Sequence, residues 1–188
     1  MLTMRETALG VFGAWRLANF DPRGMECFDR SLTGLWRSFR VAILVAPAFA
    51  LLVYLNQVQA PPTADALRFV LAEGIAYVTS WVAFPLAVAY LAPVIDRVFE
   101  YPGFIVAYNW SSILQVAVFV PVAGITALDV LPPGVAEALY LATQLVVLTY
   151  EWFITKTALR LSGLAAAGIV LLDLVVSVLI SVVAVRMA

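Results

Sequence analysis

Hydrophobic residues in this chain are gathered into long runs that contain almost no charge. A helix that crosses the hydrocarbon core of a bilayer needs roughly 20 apolar residues. We therefore predict five transmembrane helices, at residues 39–57, 69–95, 103–128, 138–157 and 161–185. Because lipid offers the backbone no hydrogen-bonding partner, each run must satisfy itself as a helix. The predicted fold class is an all-α polytopic transmembrane helix bundle, with residues 41–188 as its membrane domain.

Proline and glycine mark the predicted breaks between spans. The sequences Ala-Pro-Pro-Thr at 60–63, Tyr-Pro-Gly at 101–103 and Leu-Pro-Pro-Gly at 131–134 precede the second, third and fourth spans. Proline suits the start of a helix, and Thr63 is expected to cap the second span. Three prolines within the spans should bend them, as packed membrane helices tolerate; they are Pro47, Pro85 and Pro121.

The N-terminal segment, residues 1–40, is predicted to form two amphipathic helices at the membrane interface. In the first, one face carries Ala8, Val11, Phe12 and Trp15. Asp21 and Pro22 suit the cap and first position of the second, whose apolar residues are Met25, Phe28, Leu32, Leu35, Trp36 and Phe39. Such helices place aromatic side chains in the membrane and arginines near anionic headgroups. The candidate interfacial residues are Trp15, Arg23, Arg30, Trp36, Arg37 and Arg40.

This segment admits two interpretations. It is either a topology anchor that leads into the first span, or a docking surface for a partner or a curvature-sensitive wedge. Cys27 is the sole cysteine, so no intrachain disulfide can form. We interpret Cys27 as a thiol on the buried face of the helix in preference to a lipidation site. The expected partners are the lipid bilayer and other membrane proteins or a second copy of this chain.

Composition agrees with a membrane protein and excludes several functions. Hydrophobic residues make up 64% of the chain, charged residues only 12%, and the mean hydropathy is +1.00. The net charge of −1 argues against nucleic acid, which requires a basic face. The absence of histidine removes the usual zinc sites and histidine-based catalysis. We therefore expect no cofactor and no metal site.

The distribution of basic residues predicts the orientation. Nine of them fall before or at the start of the first span, or in and next to the second and fourth connections, against two on the opposite side, Arg68 and Arg186. The nine are Arg5, Arg16, Arg23, Arg30, Arg37, Arg40, Arg97, Lys156 and Arg160. Because cytoplasmic loops are enriched in arginine and lysine, we predict a cytoplasmic N-terminus and an external C-terminus, in the cell (inner) membrane.

Three ionisable residues, Glu73, Glu151 and Asp173, lie at membrane depth, away from the ends of the predicted spans, where such residues usually mark function or an interhelical contact. At about 1.5 Å per residue, Glu151, Asp173 and Asn109 reach a similar depth of roughly 14 Å from the cytoplasmic edge. We predict a polar layer of Asn109, Ser112, Glu151 and Asp173, with Glu73 nearer the outer surface. Two neighbouring carboxyl groups cannot both be ionised cheaply and suit proton or cation handling. The alternative is interhelical hydrogen bonding, worth about 0.6–2 kcal/mol per bond.

Two sequence features indicate a family. The tetrapeptide Phe-Asp-Pro-Arg at 20–23, followed by the hydrophobic Cys27 and Phe28, precedes the first of five closely spaced spans, and the stretch 101–112 is polar and aromatic. In these features the chain resembles bacterial members of the Yip1 family of five-span membrane proteins. That resemblance covers nearly the whole chain and implies a cytoplasmic N-terminus, no catalytic activity, and a role in membrane organisation or trafficking. It assigns no functional role to any particular residue of this chain.

Three functions compete on the sequence alone. The leading one is a non-enzymatic scaffold, organiser or accessory subunit of a membrane complex. The alternative is a small transporter or channel component that uses Glu151 and Asp173. An intramembrane enzyme is disfavoured because the sequence shows no nucleophile–base set, metal cluster or phosphate-binding loop.

Overall fold

The computed structural model describes residues 3–59 and 65–188, which form helices and connections without any strand. Two short helices, α1 (Met4–Ala18) and α2 (Leu32–Ser38), flank a 3₁₀ helix at Pro22–Cys27. Five long helices follow: α3 (Val41–Gln59), α4 (Ala66–Leu91), α5 (Tyr101–Ala127), α6 (Pro133–Ala158) and α7 (Gly163–Met187). All five are long and apolar enough to cross a membrane. The predicted all-α polytopic bundle is confirmed.

The span boundaries differ most from the prediction at two places. The second span ends at Leu91 rather than at residue 95, because Pro93 has no N–H to continue the helical ladder. The chain turns there, and the Arg97 N–H returns to the Ala92 carbonyl at 2.8 Å. The fourth span begins five residues early, at Pro133, since proline is compatible with the first turn of a helix. The predicted break at 60–63, with its cap at Thr63, lies outside the described residues.

Tyrosine hydroxyls bind carbonyl groups of neighbouring proline-containing helices. Pro47, Pro85 and Pro121 lie inside α3, α4 and α5, as predicted. The Tyr77 hydroxyl of α4 donates to the Ala42 carbonyl of α3 at 2.6 Å, and the Tyr101 hydroxyl of α5 donates to the Pro85 carbonyl at 3.0 Å. These bonds link α3, α4 and α5 where the bilayer would offer no other polar partner.

Helix α5 is the centre of the bundle, since it packs against α3, α4, α6 and both short helices. Helix α6 also packs against α7, and α7 against α4, so the spans follow one another around a ring in the order α3, α5, α6, α7, α4. The Tyr77–Ala42 bond and the Phe49–Tyr77 ring contact join α4 back to α3. Large fully buried side chains concentrate at the end of the bundle near the N-terminal segment; they include Phe84, Phe104, Ile105, Ile154 and Leu159.

The N-terminal segment packs against this end of the bundle. The buried face of α1 consists of Gly10, Gly13, Ala14 and Leu17, and the Tyr150 hydroxyl of α6 donates to the Ala14 carbonyl at 2.9 Å. Small residues let helices approach closely in membranes. The predicted aromatic face of α1 points the other way, with Phe12 and Trp15 more than half exposed. Gly10 lies against Trp110 of α5, whereas Gly13 lies against Cys27 and Phe28, so the small residues of α1 contact both a span and the rest of the segment.

The prediction of one continuous second amphipathic helix is wrong. The chain forms the short 3₁₀ helix, becomes extended at Phe28 and starts again at Leu32. Asp29 accepts a hydrogen bond from the Ser31 N–H at 3.1 Å, and the Ser31 hydroxyl accepts one from the Gly34 N–H at 3.1 Å. Such local side-chain bonds compete with the helical ladder and cap a new helix. The break still leaves Phe28 buried in the core.

Candidate functional site

A cavity of about 250 Å³, which we call the central cavity, is lined by residues from all five spans. Helix α6 contributes Glu151 and α7 contributes Asp173, so the cavity brings together the two carboxyl groups that the sequence placed at one depth. Ser112 of α5 lines it as well. Three of the four residues of the predicted polar layer therefore border one space.

Helix α5 positions both carboxylates. Its Tyr108 hydroxyl donates to Asp173 Oδ2 at 2.8 Å, and its Gln115 side-chain amide donates to Glu151 Oε1 at 3.0 Å. Tyr108, Ser112 and Gln115 are spaced four and three residues apart, which puts them on one face of the helix. Tyr108 and Gln115 were visible in the sequence as members of this polar face, but nothing there assigned them to particular carboxylates.

The carboxylates have no basic neighbour. Within the described ranges, the ion pairs involve only residues of the N-terminal segment, and the central cavity is lined by no lysine or arginine. Asp173 is 7% exposed. A carboxylate taken out of water without a counter-charge is costly, and ionisable residues at membrane depth usually mark function or an interhelical contact. The site is suited to binding protons or a cation.

Asn109 is placed apart from this pair. It is fully buried, and its side-chain amide donates to the Ser38 hydroxyl of α2 at 2.8 Å. Ser38 in turn donates to the Leu35 carbonyl at 2.7 Å. Asn109 therefore holds the N-terminal segment against α5 instead of joining the carboxylates. The role of Ser38 was missed because its neighbours in sequence give no sign of a distant partner.

Glu73 lines a second and larger space, the outer pocket, of about 770 Å³. Glu137 lies in the same pocket, together with the polar Asn56. Phe49 lines both the outer pocket and the central cavity. Its ring packs against Tyr77 at 4.5 Å between centroids. Two acidic spaces thus adjoin across one aromatic side chain.

The candidate interfacial residues have different surroundings. Trp15 and Trp36 are 58% and 72% exposed, and Arg23, Arg30 and Arg40 are exposed too. Arg37 instead forms an ion pair with Glu6 at 2.7 Å, which ties α2 to α1. The half-buried Cys27 is a free thiol at the inner face of the 3₁₀ helix.

Two carboxylates of the N-terminal segment are stabilised in their ionised form. Hydrogen bonds from the backbone N–H and hydroxyl of Thr3 lower the pKa of Glu6, and the nearby Arg37 lowers it further. The Arg16 guanidinium, at 2.6 Å, and the Arg23 N–H lower the pKa of Asp21. Both carboxylates therefore favour the observed fold of the segment when ionised.

The described residues also bear on whether the chain could hold a metal ion. Among the residues described, no three His, Cys, Asp or Glu side chains come close enough together to hold a metal ion. The central cavity supplies two carboxylates, and the remaining polar side-chain groups around it are hydroxyls, the Gln115 amide and the indole N–H of Trp81.

Five apolar helices around a polar cavity define this chain as a multi-pass helical membrane protein. Comparison with protein-family models, with curated proteins and with solved structures gives no significant match. The resemblance to the Yip1 family therefore stays a prediction.

Proposed function

We propose that this protein is a small transporter or channel component that binds protons or cations in the central cavity. Glu151 and Asp173 are the binding groups. The observation that carries the proposal is that these carboxylates, from two different spans, line one cavity that has no basic residue in its lining. Two carboxylates in one low-dielectric space favour a proton or a cation between them.

The outer pocket supports a path to this site. Glu73 and Glu137 make its lining acidic, and it adjoins the central cavity at Phe49. A cleft lined by one sign of charge raises the local concentration of the opposite ion. Movement of the Phe49 side chain would connect the two spaces, so that cations enter from the outer pocket.

The N-terminal segment lies at the other end of the cavity. Asn109 binds Ser38 of this segment, and the adjacent Tyr108 binds Asp173. The Phe84 and Phe104 rings pack around Tyr108 at 4.8 and 6.0 Å between centroids. This layer separates the carboxylates from the docked segment. In the proposed function it closes the cavity on the cytoplasmic side.

The orientation and membrane remain those that the basic residues favour. Helices α1 and α2 pack on the first turns of α5, and α1 also contacts the last turns of α6, so the N-terminal segment lies beside the connections that carry Arg97 and Arg160. This concentration of positive charge supports a cytoplasmic N-terminus in the cell membrane.

A scaffold or accessory subunit is the second candidate. The N-terminal segment presents exposed Phe12, Trp15 and Trp36 beside exposed arginines. Exposed aromatic residues and arginine are typical of partner interfaces and of membrane-surface contacts. This function agrees with the Yip1 resemblance and with the absence of a catalytic signature from the sequence. In it, the carboxylates of Glu151 and Asp173 serve only to link α6 and α7 with α5.

Proteoliposome flux separates the two candidates. Purified protein is reconstituted, and uptake of protons, Na⁺, K⁺ and tetramethylammonium is measured for the wild type, Glu151→Gln, Asp173→Asn and the double variant. We expect flux in the wild type and its loss to background in the double variant. Glu100→Gln is the matched control, because Glu100 lies in the connection before α5 and makes no capping hydrogen bond.

Either of two results would overturn the proposal. One is the absence of any flux from correctly oriented, folded protein. The other is flux that the double variant retains. Recovery of one stoichiometric membrane partner after mild solubilisation, with no flux in the resulting complex, would favour the scaffold.

A further inference from the structure

The central cavity has an aromatic side facing an acidic one. Helix α4 contributes Tyr77, Trp81 and Phe84, spaced four and three residues apart and so on one face of the helix. Phe49 of α3 and Tyr108 of α5 extend this aromatic surface. The ring centroids of Phe49 and Tyr77 are 4.5 Å apart, those of Tyr77 and Trp81 6.2 Å, and those of Phe84 and Tyr108 4.8 Å.

The size of the cavity argues against a bare inorganic ion. One water occupies about 30 Å³ of the liquid, whereas the cavity measures about 250 Å³. A Ca²⁺ ion requires six to eight oxygen ligands, and Mg²⁺ requires an octahedron of oxygen ligands. The cavity offers two carboxylates, and the Ser80 and Ser112 hydroxyls donate to carbonyls of their own helices at 2.7 Å. Several rings occupy positions that a metal site would fill with oxygen.

These features suit a cation that also carries apolar surface. An ammonium group is attracted to aromatic faces, especially that of tryptophan, when it is within about 6 Å of the ring. Its charge is also balanced by carboxylates, through charge-assisted hydrogen bonds where N–H groups are present. We propose that the ligand of the central cavity is a small organic ammonium ion, held between the carboxylates of Glu151 and Asp173 and the aromatic surface around Trp81. This inference rests on the proposed function and names its substrate class.

Calorimetric binding to the purified full-length protein tests the inference. The probes are tetramethylammonium and n-butylammonium chloride, with NaCl and KCl at equal ionic strength for comparison. We expect heat of binding from the ammonium ions only. Trp81→Leu should weaken tetramethylammonium binding about 3- to 30-fold, the strength of one cation–π contact. Trp81→Phe should restore part of the loss, because it keeps an aromatic face.

Trp36→Leu is the matched control, since Trp36 is 72% exposed on α2, away from the cavity, and its loss should leave binding unchanged. The double variant E151Q/D173N should abolish binding. Equal binding by the wild type and Trp81→Leu would overturn the inference, as would the absence of ammonium binding by folded wild-type protein.

The same measurements distinguish failure of the inference from failure of the proposed function. If Glu151- and Asp173-dependent flux of protons or Na⁺ persists while neither ammonium probe binds, the substrate class is wrong and the cation function stands. If both flux and binding are absent, both proposals are wrong.

Discussion

At the scale of single residues, three polar side chains of α5 are hydrogen-bonded to residues of other helices. Tyr108 reaches Asp173, Gln115 reaches Glu151, and Asn109 reaches Ser38. The sequence predicted that Asn109, Ser112, Glu151 and Asp173 lie at one depth, because depth follows from counting residues along a helix. It could not predict their partners, since partners depend on how each helix is rotated about its axis. For this reason the sequence placed Asn109 with the carboxylates, whereas the structure separates them.

The Asn109–Ser38 bond should contribute measurably to stability. We expect Asn109→Leu and Ser38→Ala to show a coupling of about 0.6–2 kcal/mol in a double-mutant cycle, the usual strength of an interhelical bond in membranes. The measurement is unfolding of the purified protein in mild detergent. Ser181→Ala is the control, because its hydroxyl is exposed and bonds only within α7. Additive effects of the two substitutions would show that the bond adds nothing to stability.

Acid should loosen the start of α1. The pKa of Glu6 lies below its ordinary value of 4.5 because of Thr3 and Arg37, so the ionised form stabilises the segment fully above about pH 4.5. That stabilisation is lost as the pH falls through the lowered pKa. We expect hydrogen exchange of the α1 amides, corrected for intrinsic rates, to rise in this acid range.

Glu6→Gln should show the faster α1 exchange already at neutral pH, with little further change on acidification. Glu26→Gln is the control, as the described hydrogen bonds do not involve this exposed carboxylate. Exchange that follows pH identically in wild type and Glu6→Gln would show that other groups control the acid response.

At the scale of elements, the spans were predicted well and the N-terminal segment only in part. Long apolar runs allow one solution in lipid, which is why α3 to α7 lie within a few residues of their predicted ranges. The break at Phe28–Ser31 depends on the short side chains of Asp29 and Ser31, whose local bonds outweigh the helical spacing of the apolar residues. The docking face of α1 was missed because its glycines and alanine contribute little to a hydrophobic pattern.

Close contact between α1 and the 3₁₀ helix should be sensitive to one added methyl group. A Cβ at Gly24 would lie 2.6 Å from the Gly13 carbonyl oxygen and 2.8 Å from Leu17 Cγ. The nearest atom belongs to the Gly13 backbone, which cannot move aside as a flexible side chain could. Gly24→Ala should therefore destabilise the docked segment by about 1–3 kcal/mol. Thermal unfolding in detergent and limited proteolysis of the N-terminal segment are the measurements.

Gly168→Ala is the matched control within α7, since a Cβ there meets no atom within 4 Å. It should be neutral or stabilise slightly, by about 0.5–1 kcal/mol, because alanine favours the helix. Similar effects of the two substitutions would mean that the segment does not pack as described.

At the scale of the whole molecule, the five spans together line the central cavity, and one end of the bundle carries the docked N-terminal segment. The number of spans could be read from length and hydrophobicity, whereas the ring order α3, α5, α6, α7, α4 could not. Lipid makes every apolar face equally soluble, so neighbours are chosen by small residues and polar contacts that are dispersed in the sequence. The central cavity appears only once that order is known.

The proposed sidedness rests on the distribution of basic residues and can be measured directly. In a Cys27→Ser background, Arg160→Cys should react with a membrane-impermeant thiol reagent only after the cell membrane is opened. Asp129→Cys, in the connection between α5 and α6, should react in intact cells. Both positions are exposed outside the helices. The reverse pattern would invert the orientation.

The central claim is that Glu151 and Asp173 bind a cation together in the central cavity. Infrared difference spectroscopy of the reconstituted protein, with and without tetramethylammonium, observes these carboxyl groups directly. We expect the cation to change the carboxyl bands in the wild type and in Glu73→Gln, whose residue lines only the outer pocket. The change should disappear in both Glu151→Gln and Asp173→Asn. A spectrum that shows no cation-induced carboxyl change with tetramethylammonium, Na⁺ or K⁺, or one that both variants retain, would contradict the claim.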